Sequence, residues 1–322
     1  MNYVGIDISK SSFDVAIEKD NRYHHYQFSN DRAGFKEVVK IINREDSWCV
    51  MEASGPYYLK LAWYLREQQI PVSVINPLVI RRFCQMRLVR AKTDKKDAAM
   101  IAEYGKTERP KEWRAEDAYV MELKQMQAYI DLLEKTHTGL VNQMEALYQS
   151  PVLSADVKKG LMKMLKQVEQ QIKETEKKME LIITKQHGKL FKQVKSVPGI
   201  GKKTGLLLVV VSGGFTKFEN AKQLSSYLGL SPRIFVSGTS VKGKARICKM
   251  GMSRARAMLY VCSWSAIKCN KACKELYQRL LSKGKAKRLA LIAVANKLLK
   301  QVFAVATKGM LYDENYLQKT CF

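Results

Sequence analysis

Four acidic residues in the first hundred positions stand where carboxylates can gather around a metal ion. Asp94 and Asp97 are three apart at the predicted start of a helix over residues 97–104, which places both on one face of its first turn. Asp7 and Glu52 each directly follow an apolar stretch typical of a buried strand. Because a lone buried carboxylate is costly and hard divalent ions such as Mg2+ prefer oxygen ligands, the four acids indicate a metal site.

Each acid also has an ordinary structural interpretation. Asp94 can be the N-cap of the helix, with Asp97 three residues further on as in a capping box. Asp7 can form a turn and Glu52 a salt bridge. These explanations are separate, whereas one metal site accounts for all four residues from three distant segments, so the sequence favours the metal site.

The predicted elements around these acids form an α/β domain. Three strands come first, and helices then alternate with strands. The strands are predicted at residues 3–8, 12–18, 23–28, 47–51 and 72–75, and the helices at 31–42 and 58–68. This order is that of a ribonuclease-H-type sheet flanked by helices, in which chemistry gathers at strand ends. Asp14, Asp20 and Asp46 fall in predicted hairpin or loop positions and are interpreted as surface acids.

The positive charge is confined to the last third of the chain. The net charge is +26, of which residues 1–110 carry +4 and residues 111–187 carry none, while residues 188–322 have 26 Lys and Arg against 4 Asp and Glu. An excess of this kind in one part is typical of a domain that binds a polyanion such as nucleic acid. We therefore expect three parts with these boundaries.

Composition excludes several other classes of protein. With 46% hydrophobic and 27% charged residues the chain is predicted to be soluble and globular. The apolar run at residues 206–211 is far too short to cross a membrane. The seven cysteines include no Cys-x-x-Cys pair, which argues against a disulfide framework and a zinc site and favours a reducing cytoplasm.

Residues 111–187 are predicted to be an antiparallel coiled-coil hairpin, because two apolar seams of heptad spacing follow one another across a break at Ser150-Pro151. The first seam comprises Leu123, Met126, Ile130, Leu133, His137, Leu140, Met144 and Leu147. The second comprises Leu161, Leu165, Val168, Ile172, Thr175, Met179 and Ile182. We interpret His137 as a polar residue in the apolar seam that fixes the register of the two helices. The hairpin is also a predicted surface for assembly of an oligomer.

The segment from Val194 to Gly205 resembles a helix-hairpin-helix element in a mainly helical domain. Its glycines permit a tight turn whose backbone amides can hold a phosphate, and Lys202 and Lys203 add positive charge. It is not a Walker loop, because Ser196 stands where the first glycine is needed. An ordinary turn between two helices is the alternative.

Residues 231–249 are predicted to be a polar loop without any acid, in which Ser237 precedes a glycine. The basic residues around this serine are Arg233, Lys242, Lys244, Arg246 and Lys249. From spacing alone, a serine in a basic loop indicates a hydrogen bond to phosphate more than a nucleophile.

Taken together, the motifs resemble those of DEDD-type insertion-sequence transposases, recombinases that are guided by a bridge RNA. The resemblance covers nearly the whole chain. It rests on Gly5-Ile6-Asp7, Glu52-Ala53-Ser54-Gly55, Val74-Ile75-Asn76-Pro77, Lys92-Thr93-Asp94-Lys95-Lys96-Asp97-Ala98, Val197-Pro198-Gly199-Ile200-Gly201, Leu228-Gly229-Leu230-Ser231-Pro232-Arg233, Ser237-Gly238 and Lys249-Met250-Gly251. Cys248 departs from the family pattern, which usually has serine there.

The resemblance implies a fold, a cofactor and partners. The fold is α/β plus all-α, with a resolvase-like domain, the helical arm and a C-terminal transposase domain. Asp7, Glu52, Asp94 and Asp97 are implied to bind Mg2+ or Mn2+, and Ser237 to be the nucleophile that forms a covalent phosphoserine. The implied partners are donor and target DNA, a noncoding bridge RNA and further copies of the chain, as a dimer or tetramer in the prokaryotic cytoplasm at the nucleoid.

Two alternatives remain at this stage. In a hydrolytic structure-specific DNA endonuclease the acids would activate water and Ser237 would only bind phosphate. In a non-enzymatic DNA-binding protein the acids would be structural.

Overall fold

The computed structural model describes residues 1–89, 93–233, 236–237, 241–242, 246–248 and 250–315, with the backbone alone at Arg233, Val236, Ser237, Val241, Lys242 and Arg246. The chain forms two compact units, Met1–Glu116 and Asp117–Phe322. The predicted arm falls mainly in the second unit together with the basic C-terminal third. The division into three domains stays a prediction.

The first unit is a mixed five-stranded sheet with helices packed on both faces, which confirms the predicted α/β class. Its elements are β1 (Asn2–Ile8), β2 (Ser12–Lys19), β3 (Arg22–Ser29), α1 (Arg32–Ile41), β4 (Ser47–Glu52), α2 (Tyr58–Glu67), β5 (Val72–Ile75), α3 (Pro77–Met86) and α4 (Asp94–Glu108). The strand order is β3-β2-β1-β4-β5, with β1 antiparallel to β2 and parallel to β4. The strands and the first two helices confirm the predicted positions, whereas α3 was not predicted.

Alternation along β1 divides the sheet into two differently covered faces. Val4, Ile6 and Ile8 are buried in the cluster that α1 and α2 also enter. Tyr3 and Gly5 lie on the opposite face, which α4 covers. Because side chains on a strand alternate, Asp7 shares this second face with Tyr3 and Gly5.

Gly5 allows α4 to lie directly on the sheet. A Cβ atom at Gly5 would stand 2.0 Å from the Ala98 carbonyl oxygen and 2.4 Å from the Ala102 nitrogen, so any larger residue would push the helix away. Near the other end of α4, a Cβ atom at Gly105 would meet Tyr3. The helix therefore runs antiparallel to β1, and its first turn lies over the end of the strand that carries Asp7.

The second unit begins with two long helices and continues as a mainly helical body. Its helices are α5 (Ala118–Tyr148), α6 (Ala155–Ser196), α7 (Lys202–Ser212), α8 (Ala221–Tyr227), α9 (Ser253–Cys269), α10 (Lys271–Ser282) and α11 (Lys287–Lys308). The break at Ser150-Pro151 falls between α5 and α6, as predicted.

Hydrogen bonds between α5 and α6 give the direction of the hairpin. Tyr129 donates to Gln171 at 3.0 Å, and His137 pairs with Glu169 at 3.2 Å. Moving along α5 from Tyr129 to His137, the partner on α6 moves back from Gln171 to Glu169. The two helices are therefore antiparallel. All residues of the two predicted seams are buried or partly buried. The supercoiling of the pair stays a prediction.

The body of the second unit has a large apolar core to which α7 and α11 contribute many of the buried residues. The helix α11 is long and apolar enough to meet the length and composition test for a membrane span. Its buried residues, among them Val294, Leu298 and Val302, pack in this core, as in the central helix of many globular domains.

The segment 231–249, predicted to be a polar loop, contains short paired strands that the prediction did not include. β6 (Pro232–Arg233) pairs with β9 (Arg246–Ile247), and β7 (Val236–Ser237) pairs with β8 (Val241–Lys242), both antiparallel. Polar and β-branched residues separated by glycines suit such short ladders. Ser237 lies in β7 opposite Val241.

Candidate metal centre and nucleic-acid interface

Asp7 and Glu52 lie at the same end of two neighbouring parallel strands. Asp7 is the penultimate residue of β1 and Glu52 is the last residue of β4. The register pairs Ile6 with Met51, so the next residue on each strand is one of the two acids. This is the sheet edge at which α/β proteins place their ligands.

The other two acids come from the first turn of α4, which begins three residues earlier than predicted. Thr93 is the N-cap, and its side chain accepts a hydrogen bond from the Lys96 amide at 3.3 Å. The alternative interpretation of Asp94 as the N-cap was therefore wrong, because a β-branched hydroxyl residue already satisfies the helix end. Asp94 and Asp97 both lie in the first turn, at the positive end of the helix dipole.

Asp7, Asp94 and Asp97 come together as a compact group of carboxylates. Each offers an oxygen atom that lies within 4.8 Å of the oxygens of the other two. Two oxygens on opposite sides of one Mg2+ are about 4.2 Å apart, so small side-chain rotations bring all three within bonding distance of one ion. The donor set is all oxygen, which is the set that hard divalent cations prefer.

The electrostatics of Asp7 show that the group is unfavourable without a cation. Its pKa rises from the usual 3.8 to about 6, first because of burial and then because of the negative charges of Asp97, Glu52, Asp94 and Asp14. Glu52 is not one of the three close carboxylates, but its charge acts on Asp7. A bound divalent ion would reverse this repulsion.

Asp14 is the residue that sequence reasoning missed, and its interpretation as a surface acid was wrong. It lies within β2, directly opposite Asp7 in the antiparallel register, and only 9% of it is exposed. In an alternating strand, a polar residue between Phe13 and Val15 looks as if it faces solvent. The helix α4 covers that face, and only the tertiary structure reveals this.

Lys202 and Lys203 are the first residues of α7, immediately after the turn that was predicted to bind a phosphate. Gly199 in that turn has φ +100°, and a Cβ atom there would stand 2.7 Å from Ala266, so glycine is needed on both counts. Lys203 forms an ion pair with Glu176 at 2.6 Å, and Lys202 pairs with Glu180. Both lysine side chains are about half exposed.

The remaining predicted residues are described in part or not at all. Ser237, Arg233, Lys242 and Arg246 lie in the short strands, where the structure gives their backbone. The expectations for Lys244 and Lys249 fall outside the described residues.

Comparisons with known proteins identify the family. Residues 4–150 match a model described as a transposase of the DEDD type of IS110, and residues 192–278 match the transposase IS116/IS110/IS902 family. The pilin gene-inverting protein of Moraxella lacunata is 30% identical over 97% of this chain and 98% of its own length. The chain belongs to the IS110 transposase family.

Other similarities of this transposase extend over different shares of the chain. The transposase for insertion sequence element IS1111A of Coxiella burnetii is 24% identical over 96% of the chain and 90% of its own length. The Thermus thermophilus RuvC structure aligns over 35% of the chain and all of its own, with 13% identity and a TM-score of 0.27.

Membership in this family makes the protein an enzyme that acts on DNA in recombination. The predicted resemblance is therefore confirmed, and the alternative of a non-enzymatic DNA-binding protein was wrong. The four acids and Asp14 all lie within the first matched segment, and Ser237 lies within the second.

Proposed function

We propose that this transposase cuts and rejoins DNA by way of a covalent bond between Ser237 and a DNA phosphate, with a divalent ion held by Asp7, Glu52, Asp94 and Asp97. The observation that carries the proposal is the trio of carboxylates whose oxygens lie within 4.8 Å of one another in an enzyme of this family. Mg2+ or Mn2+ suits these ligands, and when bound it polarises the phosphate and stabilises the attacking and leaving oxygens.

The protein residues have distinct parts in this reaction. The Ser237 hydroxyl oxygen forms a bond to phosphorus while the bond from phosphorus to one deoxyribose oxygen breaks. The serine proton passes to solvent or a nearby base, and the released oxygen is protonated. In rejoining, the hydroxyl of another strand attacks the phosphoserine, the bond from phosphorus to Ser237 breaks, and the serine regains its proton. One phosphodiester is exchanged for another, so no external energy source is needed.

The basic surroundings of Ser237 suit the handling of a phosphate. We assign to Arg233, Lys244 and Arg246 the role of offsetting the negative charge on the oxygens of the five-coordinate phosphorus, because cations aimed at developing charge are an effective form of catalysis. Lys242 and Lys249 bind the nucleic acid. Lys202 and Lys203 contact the backbone of nucleic acid at the helix-hairpin-helix turn. These contacts carry no sequence information, so a bound RNA supplies the specificity by base pairing.

The long helices α5 and α6 form the assembly surface in this proposal. Exposed apolar side chains on this hairpin include Leu132, Val141, Tyr148 and Met162. A coiled-coil contact between copies of the hairpin would cover such residues, giving a dimer or tetramer. Light scattering of the purified protein, compared with a variant that has Leu132 and Val141 changed to Lys, tests this part.

Trapping of the covalent intermediate tests the central step. Radiolabelled DNA carrying the element ends is incubated with the RNA-loaded enzyme and Mg2+, then denatured and separated on a gel. Wild-type protein should retain label, and Ser237→Ala should retain none. Ser240→Ala removes a hydroxyl from the same segment and serves as the matched control, which should still retain label.

The nuclease alternative gives the opposite result. If Ser237→Ala cleaves DNA at the wild-type rate and water is the nucleophile, the recombinase proposal is wrong. The RNA part is tested separately by sequencing the RNA that copurifies with the protein. Removal of the RNA with ribonuclease should abolish strand transfer, and adding it back should restore the activity.

A further inference from the structure

Asp14 is a buried carboxylate directly beside the proposed metal site. It stands opposite Asp7 across β1 and β2, and opposite Gln27 across β2 and β3. The three residues thus form a row across three antiparallel strands on one sheet face, which α4 covers at β1 and β2 but leaves exposed at Gln27. The Gln27 amide donates a hydrogen bond to one Asp14 oxygen at 3.3 Å.

The hydrogen-bond partner of Asp14 carries no charge that could offset that of the carboxylate. Burial of an ionised carboxylate costs several kcal/mol in proteins unless it is paired with a cation. Gln27 is neutral, and within the described part of the chain no lysine or arginine forms an ion pair with Asp14. The charge of Asp14 acts to raise the pKa of His25, but burial and Lys95 lower that pKa overall, so His25 is not held as a cation beside Asp14. By contrast Glu18, four residues further along the same strand face, pairs with Lys106 at 2.9 Å.

The charge of Asp14 acts on the proposed metal site. The negative charge of Asp14 is one of the causes that raise the pKa of Asp7. Without a cation this repulsion destabilises the fold, whereas with a divalent ion the same charge strengthens binding. Residues behind metal ligands commonly change metal affinity tenfold to a hundredfold.

We propose that Asp14 is a positioning residue of the metal site, which lies beside Asp7 and acts through its negative charge on a divalent ion held by Asp7, while Gln27 holds Asp14 in place. This inference rests on the proposed metal site. A purely structural role is the rival explanation, in which Asp14 only links β2 to β3 through Gln27.

The Asp14→Asn variant separates the two explanations, because it removes the charge and keeps an oxygen that can accept from Gln27. Calorimetric titration with Mn2+ should show an affinity about tenfold weaker than that of the wild type. In the presence of a chelator the variant should unfold at a higher temperature than the wild type, because repulsion is relieved. At saturating Mn2+ this advantage should disappear.

Two further variants serve as controls. Glu18→Gln removes one charge from the same strand face but breaks the ion pair with Lys106, so it should lower the unfolding temperature with and without metal and leave Mn2+ affinity unchanged. Gln27→Ala is a change at an exposed position, and it should weaken Mn2+ binding less than Asp14→Asn does. If Asp14→Asn does not fold, the Mn2+ affinity of Gln27→Ala still tests the proposal.

The outcomes distinguish this inference from the proposed function. If the wild type shows no saturable Mn2+ binding, the metal site itself is wrong and the role of Asp14 falls with it. If the wild type binds Mn2+ and both Asp14→Asn and Gln27→Ala bind it equally well, the metal site stands and the role of Asp14 is overturned. A loss of stability of Asp14→Asn in chelator would identify Asp14 as a structural link only.

Discussion

Charged side chains are arranged in opposite ways in the two units. In the first unit the carboxylates of Asp7, Asp94 and Asp97 are held close together, and the pKa of Asp7 is raised. In the second unit, Arg254 of α9 reaches two acids of α5, Asp131 at 2.5 Å and Glu134 at 2.9 Å. The first arrangement opposes folding of the metal-free protein, whereas the second favours it.

The contrast shows where to look for function in a highly charged protein. The second unit holds the great excess of positive charge, yet its described ion pairs use acids of α5 and α6 to neutralise bases of the helical body. The first unit is almost balanced in charge, yet it keeps like charges together. Net charge therefore indicates the kind of partner, and local repulsion indicates the site of chemistry.

Replacement of Asp7 by Asn should have the largest effect. The change keeps the shape of the side chain but removes the charge that a divalent ion needs, so we expect strand transfer to fall by at least about 100-fold. The same variant should be more stable than the wild type in chelator. Strand transfer between plasmids and thermal unfolding measure the two effects, and an active Asp7→Asn enzyme would contradict the comparison.

Replacement of Gly5 by Ala should damage the site through the backbone. The new methyl group overlaps the Ala98 carbonyl, so α4 must move and unfolding free energy should fall by about 1 to 3 kcal/mol. Mn2+ affinity should fall with it, because Asp94 and Asp97 move with the helix. Gly160→Ala is the control in the second unit, since nothing lies within 4 Å of its Cβ position. It should stabilise α6 by up to about 1 kcal/mol.

The metal-free protein should lose stability as pH rises between about 4 and 6. The pKa of Asp7 is about 6 in the folded protein and 3.8 ordinarily, so in this window the folded state binds more protons than the unfolded state. Stability stays lower above that window. Denaturant unfolding at several pH values measures the slope, and Asp7→Asn should reduce it. The raised pKa of Asp7 would be contradicted if the wild-type protein became more stable between about pH 4 and 6 and the Asp7→Asn variant showed the same increase.

The smallest effect is expected from the acids that pair with the lysines of α7. If Lys202 and Lys203 contact phosphate, changing both Glu176 and Glu180 to Gln should tighten binding of nonspecific duplex DNA by about threefold. Stability should change by less than about 1 kcal/mol per pair. The control changes Glu169 and Glu174 of the same helix to Gln, with the same change in net charge. Equal tightening in both variants would show that only net charge matters.

The sequence was sufficient for much of the first unit because its signals are local. Strands and acids could be predicted from alternation and from the position of an acid after an apolar run, as for Asp7 and Glu52. The helix α3 had signals that were not used, since Asn76 caps it and Pro77 occupies its first turn. Asp14 had no such signal, because its burial depends on α4, some eighty residues away.

In the second unit, the ion pairs between helices could not be predicted, because they too join residues far apart in the chain. The seams predicted α5 and α6, but no pattern in the sequence pairs Lys203 with Glu176 or Arg254 with Asp131. Such pairs form because folding brings distant helices together, and a run of basic residues looks the same whether its members are paired or not. The roles of Ser237 and its basic neighbours came from the family resemblance and remain predictions.

The contact between Gly5 and Ala98 has a consequence for the order of events during synthesis. The proposed metal ligands on β1 and α4 are separated by nearly ninety residues, so a metal ion bound by them would have no complete set of ligands until α4 has left the ribosome and docked on β1. An ion that binds only the native state slows unfolding far more than it speeds folding. Newly made protein must therefore fold its first unit unaided, against the mutual repulsion of its own carboxylates.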